Sequence, residues 1–461
     1  MLNDSTISLI IEAGMSHNAD LAEVFIDESK SNGVSLLNKN VISCSSAQGL
    51  GVGIRLIKGT NVVYVFSNDP DSEGLINMAK EAAMALESGK EANIREIESL
   101  SVTDPSKVVR SVMQLRKSEL IDYLMPAIDF ASNYNPLITQ TSSRFAVSDR
   151  TIRIVNSRGV NKQERRQRSR AVLSVIATKG NEKQTATLSP GTLRGFEFFD
   201  EYKLLEETQK RCDSAIRMLD AGYAPSGKMP VIIGNGFGGV IFHEACGHTL
   251  EATSVGIKSS PFTDMLGKAI ASPVVSARDN ARIEGEWGSY STDDEGNESS
   301  DLLLIENGIL KNYLVDELGS RRMNCPVTGC GRRQSYTYAP TSRMSNTYIC
   351  EGNDKPEDII ADTEYGLYAT DMGGGSVDTS TGEFNFAVNE AFMIRKGKIA
   401  EPVRGATLIG KGPEILMNID RVGNDLKLAV GMCGSISGSV PVTVGQPTIR
   451  VSSILVGGRE E

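Results

Sequence analysis

The strongest constraint on how this chain can fold is the run His243-Glu244-Ala245-Cys246-Gly247-His248, which holds two of the only three histidines, five residues apart. Two imidazoles and a carboxylate so close together point to a metal ion that activates water. The familiar H-E-x-x-H pattern sets its histidines four apart, about 40° around a helix and so on one face. Five steps of about 100° leave His243 and His248 about 140° apart, too far round for one ion to bridge. The spacing therefore predicts an irregular helix here. A π-type turn widens the repeat to i→i+5 and recurs at functional sites, and Gly247 would tolerate the distortion.

A third ligand has three candidates. Glu251 follows His248 by three residues and would share its helix face. Cys246 lies inside the run and reads as a small buried apolar residue. Cys433 stands far along the chain in Gly431-Met432-Cys433-Gly434, where the glycines give a thiolate room to approach. A borderline-soft ion accepts any of them. Glu244, adjacent to a ligand, can reach a metal-activated water as general base, or it can orient a histidine from outside the coordination sphere.

Together with Ser439-Val440-Pro441-Val442-Thr443-Val444-Gly445-Gln446-Pro447-Thr448 near the C-terminus, the histidine run resembles the TldD/PmbA family of metallopeptidases, once called modulators of DNA gyrase. Further segments agree in the family's order: Asp293-Asp294-Glu295-Gly296, Ile305-Glu306-Asn307-Gly308, Gly331-Arg332-Arg333-Gln334-Ser335-Tyr336, Arg343-Met344-Ser345-Asn346-Thr347 and Gly373-Gly374-Gly375 with Phe384-Asn385-Phe386. The first half agrees more loosely, through Ala19-Asp20-Leu21-Ala22-Glu23-Val24 and Gly51-Val52-Gly53-Ile54-Arg55. The resemblance implies a metal site of His243, His248 and Cys433, with Glu244 as general base. One branch of the family lacks the histidines. This chain is similar to the metal-bearing TldD branch, and the resemblance further implies an unfolded or small peptide substrate and assembly with a second family subunit or with itself.

At 461 residues the chain exceeds what one core usually serves. The run Gly222-Tyr223-Ala224-Pro225-Ser226-Gly227 reads as a hinge, dividing an N-terminal α+β domain, residues 1–222, from a β-rich C-terminal domain, residues 228–461, that carries the metal-site helix. A net charge of −10 argues against a nucleic-acid partner. Seven cysteines without dense spacing fit a reducing compartment. Neither a basic leader nor a run of about 18 apolar residues occurs, which excludes a helical membrane span and gives a cytoplasmic reading.

Along the chain, residues 5–15 read as a short helix, and Ala22–Asp27, Gly33–Leu37, Gly49–Lys58 and Asn61–Asn68 as strands of a small antiparallel sheet. Helices are expected from Asp71 to a stop at Gly89, from Pro105 to Ala131, and from Glu201 to Leu219. Phe145–Val155 and Val160–Thr178 flank a hairpin turn at Asn156-Ser157-Arg158-Gly159. Arg165, Arg166, Arg168 and Arg170 on the returning strand read as a solvated face. Gly234, Gly236 and Gly239 spell G-x-G-x-x-G after a strand, but no repeating strand–helix–strand pattern follows, so the glycines are assigned to close backbone passage beside the metal helix. Past residue 255 short strands dominate, among them Leu302–Ile305, Asn312–Val315 and Val440–Val444. The class is α+β. His17 reads as a surface residue, Cys325 and Cys330 lack a second pair for a zinc site, and Asp293, Asp294 and Glu295 read as a turn.

These features favour a zinc-dependent peptidase of the HExxxH type, with peptide or unfolded protein as substrate, a paralogous subunit or homodimer as partner, and neither nucleic acid nor membrane. The rival reading is a non-catalytic, metal-stabilised scaffold that binds peptides or a partner protein.

Overall fold

The computed structural model describes residues 2–86 and 94–458. Gly89, where the sequence predicts the stop of a helix, lies outside them. The fold is α+β.

The first sheet is built on four strands of 17 to 19 residues, Leu21–Leu37, Asn40–Lys58, Ile138–Asn156 and Asn161–Lys179. Each spans about 60 Å at about 3.3 Å per residue. The sheet is larger than expected from the sequence. What reads as two short strands around Ser29 is one, because Gly33 stays in the ladder opposite Ser45 on one side and Ala146 on the other. Its eight strands also include Asn61–Ser67 at one edge, with Ser101–Thr103, Glu182–Leu188 and Gly191–Thr192 pairing with Asn161–Lys179.

Four helices cover one face of this sheet. Asp4–Met15 and Ser72–Met84, capped by the side chains of Asn3 and Asp71, bury Ile7, Ile10, Leu75 and Ala79 against Val24, Ile54 and Leu56. Lys117–Tyr134 and Leu204–Leu219 bury Leu124, Ile128, Cys212 and Ala215 against Val34, Phe145 and Leu173. The third helix starts at Lys117, twelve residues after the expected Pro105, since only a single 3₁₀ turn, Val112–Gln114, precedes it. The fourth starts at Leu204, after a separate short helix Glu197–Glu201.

The opposite face is covered only in part. Leu21–Asp27 and Gly51–Ile57 are each buried at seven consecutive positions, which an antiparallel strand shows only where both its faces are covered. The second cover comes from loops of the C-terminal half around Trp287–Glu295 and Arg332–Tyr336. This contact corrects two expectations. Arg166 and Arg168 are not solvated: Arg166 Nε donates to Glu164 (2.7 Å) and its Nη1 to Asp294 (2.8 Å), and Arg168 donates to the carbonyls of Trp287 and Ser289, both at 2.9 Å. Of the four arginines only Arg165 is exposed. Asp293-Asp294-Glu295 is a turn, but a buried one. Arg55 links Glu295 and Glu23, each at 2.6 Å, and Arg333 reaches Glu23 at 2.7 Å. Charges taken this far out of water require partners, so the network sets how the two halves meet.

The C-terminal half holds two main sheets. In one, Tyr365–Val377, Gly227–Ile233, Ile449–Gly457, Thr407–Lys411 and Glu383–Arg395 are neighbours in that order, and the last pairs back with the first to close a ring. Gly222–Tyr223, expected as a free hinge, is a strand of this sheet beside Val403–Arg404. The other sheet runs Ile309–Leu310, Asp301–Glu306, Ala277–Asn280, Asn346–Ile349, Gly438–Gln446, Lys427–Ser435. Asn312–Val315 is not one of its strands, for only Leu314 bridges, to Glu251. Among the described residues, no helix is long and apolar enough to cross a membrane.

Candidate metal centre

The strand Gly227–Ile233 leads through a 3₁₀ turn, Gly236–Gly239, into a single helical turn, Val240–Phe242. Gly239 lies against the neighbouring sheet: a Cβ there would sit 2.4 Å from the Gly445 carbonyl carbon, so only glycine allows the helix to start this close. The chain then widens. His243–Gly247 is a π-helical turn in which the His248 amide donates to the His243 carbonyl, the i→i+5 bond that the histidine spacing requires. Gly247 has another role than the one expected from sequence. Its φ of −52° and ψ of −56° are ordinary for any residue. It is small because a Cβ would fall 2.0 Å from the Met344 sulfur.

Widening the turn brings both imidazoles to one side, with ring centroids 5.1 Å apart and planes nearly perpendicular. Cys433, on the edge strand Lys427–Ser435, completes the group from the other side. Its Sγ lies 3.2 Å from His243 Nε2 and 3.1 Å from His248 Nε2, and all three residues are buried. Zinc bonds of about 2.05 Å to nitrogen and about 2.3 Å to sulfur at a tetrahedral angle would set N and S about 3.6 Å apart. The donor set fits such an ion with an opening of about 0.4 Å.

The two rival ligands lie elsewhere. Glu251 is buried on the far side of His248, with Oε2 3.2 Å from Nδ1. A carboxylate in that place can orient an imidazole from outside the group. Cys246 is fully buried away from the cluster, and burial pushes its thiol above the ordinary range. Cys325 is half-buried and Cys330 buried, both as free thiols, and His17 is exposed beside the Ser16 hydroxyl.

Glu244 sits on the same turn with Oε2 3.8 Å from His248 Nε2, and at 20% side-chain exposure it is the most open member of the group. Burial raises its carboxyl, the sulfur of Cys433 and the Glu251 carboxylate add to this, and the two histidines oppose it. Burial likewise opposes charge on Cys433 and His248. Each outweighs that cost through the other: the histidines hold the Cys433 thiol well below its usual range, and Glu251 and Cys433 hold His248 well above. The cluster thus favours a thiolate, the form in which cysteine binds a metal.

Models of a PmbA/TldA metallopeptidase domain 1, central domain and C-terminal domain match residues 22–86, 114–219 and 226–458. A metalloprotease TldD homolog of Buchnera aphidicola is 32% identical over 469 residues, covering 99% of this chain and 96% of that one. A metalloprotease TldD homolog of Haemophilus influenzae is 32% identical over 467 residues, with 99% and 97% covered. The chain belongs to the PmbA/TldD family of metallopeptidases. Two solved structures share the fold: a putative modulator of DNA gyrase from Thermotoga maritima, with TM-score 0.79 and 20% identity over 98% of this chain and 99% of that one, and TldE from Thermococcus kodakarensis, with TM-score 0.78 and 17% identity over 98% and 100%. For a member of a metallopeptidase family, the His243, His248 and Cys433 group is the candidate metal centre among the described residues.

Two features of the site escaped the sequence reading. The place of Glu251 behind His248 depends on which ring nitrogen faces Cys433, which spacing does not tell. Arg343, wholly buried, donates to the Cys433 carbonyl. Its only sequence signal was membership of the Arg343-Met344-Ser345-Asn346-Thr347 segment.

Proposed function

We propose that this protein is a zinc-dependent peptidase of the HExxxH type that hydrolyses unfolded or small peptides, with His243, His248 and Cys433 as metal ligands and Glu244 as general base. The observation that carries the reading is the position of the Cys433 sulfur, within 3.2 Å of both Nε2 atoms, beside the half-open carboxylate of Glu244. When bound, zinc would lower the pKa of a water and polarise a peptide carbonyl. Glu244 would accept a proton from the attacking water and pass it to the departing amine, while Glu251 would keep the proton of His248 on Nδ1 so that Nε2 faces inward.

Lys427–Ser435 is the last strand of its sheet and carries Cys433, so a free strand edge runs beside the site. It supports an extended peptide held through its backbone, with weak side-chain preference. A second subunit, paralogous or identical, is supported by Asn40–Gly49. All ten of these residues are exposed, and none is charged. An uncharged strand edge is ordinarily covered. Light scattering should report a species larger than 49.7 kDa.

The deciding experiment is Glu244→Gln. The variant should fold, hold its metal and bind peptide, while turnover falls by about 10² to 10⁴, the usual worth of a positioned acid–base group. Turnover within about threefold of the unmodified protein at full metal loading would remove Glu244 from this role. Metal binding without peptidase activity in the unmodified protein would favour a scaffold.

A further inference from the structure

Arg343 is 0% exposed and belongs to none of the groups proposed above to do chemistry. Its guanidinium is spent on one hairpin. Nη1 donates to Ser437 Oγ (2.9 Å) and to the Gly438 carbonyl (2.8 Å), and Nη2 donates to the carbonyl of Cys433. These three acceptors span the turn between Lys427–Ser435 and Gly438–Gln446, so the arginine holds in place the end of the strand that carries the thiol.

The Nε donor faces the other side of the metal centre. Arg343 Nε lies 4.0 Å from Glu251 Oε1, and both atoms are buried without a hydrogen-bond partner. The second oxygen of that carboxylate meets His248 Nδ1 at 3.2 Å. These groups therefore follow one another in a loop from His248 to Glu251, to Arg343, to the Cys433 backbone, and from the Cys433 sulfur back to His248 Nε2 at 3.1 Å. One link of the loop is open. A charged donor and a charged acceptor left facing each other in a buried site are costly, and an approach of about 1 Å would turn them into an ion-paired hydrogen bond.

We infer that Arg343 is a positioning residue for the metal centre: it ties the Cys433 hairpin to the Glu251–His248 arm, so that thiolate and imidazole hold their mutual distance as one unit. The inference rests on the metal-ligand reading above. Loss of a charged group behind a ligand costs about 10- to 100-fold in metal affinity. A lysine brings one charge without the planar fork that reaches three hairpin acceptors and the carboxylate together.

The test uses the full chain with Co²⁺ as a spectroscopic probe, titrated in the unmodified protein and in Arg343→Lys, Arg343→Met and Glu251→Gln. Thiolate ligation gives an ultraviolet charge-transfer band. We expect Arg343→Met to bind Co²⁺ about 10- to 100-fold more weakly with a diminished band, and Arg343→Lys to fall between it and the unmodified protein. The double variant Arg343→Met/Glu251→Gln should lose less than the product of the single losses, because both act in one loop. Should Arg343→Met not fold, Ser437→Ala removes one acceptor of the guanidinium and should weaken Co²⁺ binding several-fold with the fold intact. An unchanged affinity and band in Arg343→Met, or in Ser437→Ala if that variant is needed, would overturn the inference while leaving the ligands in place; so would fully multiplicative losses. Absence of the band in the unmodified protein would overturn the Cys433 ligand reading, and this inference with it.

Discussion

The π-helical turn can be tested without touching a ligand, through Gly412→Ala. Gly412 opens the helix Gly412–Asn418, which packs on the turn, and a Cβ there would lie 1.9 Å from the Ala245 carbonyl oxygen and 2.8 Å from its carbon. A methyl carbon and a carbonyl oxygen rest at about 3.2 Å or more. The alanine must therefore displace one backbone or the other by about 1.3 Å. Neither side is a flexible side-chain end, so the strain does not dissipate in a rotamer change. Ala245 lies between His243 and His248, and its displacement spreads the imidazoles. Overpacking in a rigid core costs about 1–3 kcal/mol, and a misplacement of about 1 Å at a catalytic site can cost about 10² in rate. We expect Gly412→Ala to lose about 2–3 kcal/mol in chemical denaturation, which tracks overpacking, together with most of its bound metal by elemental analysis. Gly374→Ala is the control, since its Cβ meets nothing within 4 Å. It should stay within about 0.5 kcal/mol, as surface changes do. Native metal content and stability in Gly412→Ala would refute the claim that this contact shapes the metal turn.

Four further predictions concern the ligands, the buried charges, which carry two of them, and the substrate. Cys433→Ala should lose the metal measured by elemental analysis, and full occupancy would mean that Cys433 is not a ligand. Arg166→Met strands the carboxylates of Glu164 and Asp294 in the contact between the halves and should cost about 3–5 kcal/mol in denaturant unfolding; a loss below 1 kcal/mol would mean that water enters this contact freely. Burial opposes ionisation of Asp294, but Arg166, Arg150 and Arg333 outweigh it and hold its carboxyl at about 2, below its unfolded value. Its contribution is thus full above about pH 4 and is lost as pH falls towards 2, about 2 kcal/mol in all, so the acid limb of a stability–pH curve should be shallower by that amount in Asp294→Asn. Unrelated unfolded peptides should be cut at comparable rates, and strict dependence on one side chain would count against backbone pairing along the Lys427–Ser435 edge.

Local order was legible in the sequence wherever neighbours along the chain decide it. Five-residue spacing of the histidines predicts the π-helical turn because one ion between two imidazoles leaves no regular alternative, and the turn is present at His243–Gly247. Helical periodicity likewise located Ser72–Met84, and Asp71 marked its start by capping it. Tertiary structure decided the rest. Strand alternation shows that Arg166 and Arg168 share a face, but not that loops 120 residues later cover it, and so it led to a solvated reading of charges that are buried. Sequence spacing placed Glu251 close to His248 and could not say how near Cys433 comes, which only the family resemblance pointed to. The fold puts Glu251 behind the ring and Cys433, 190 residues from His243, in front of it, because a widened helix and the edge strand of a sheet converge on the same few ångströms. That convergence is a property of the packed sheets, and no local pattern encodes it.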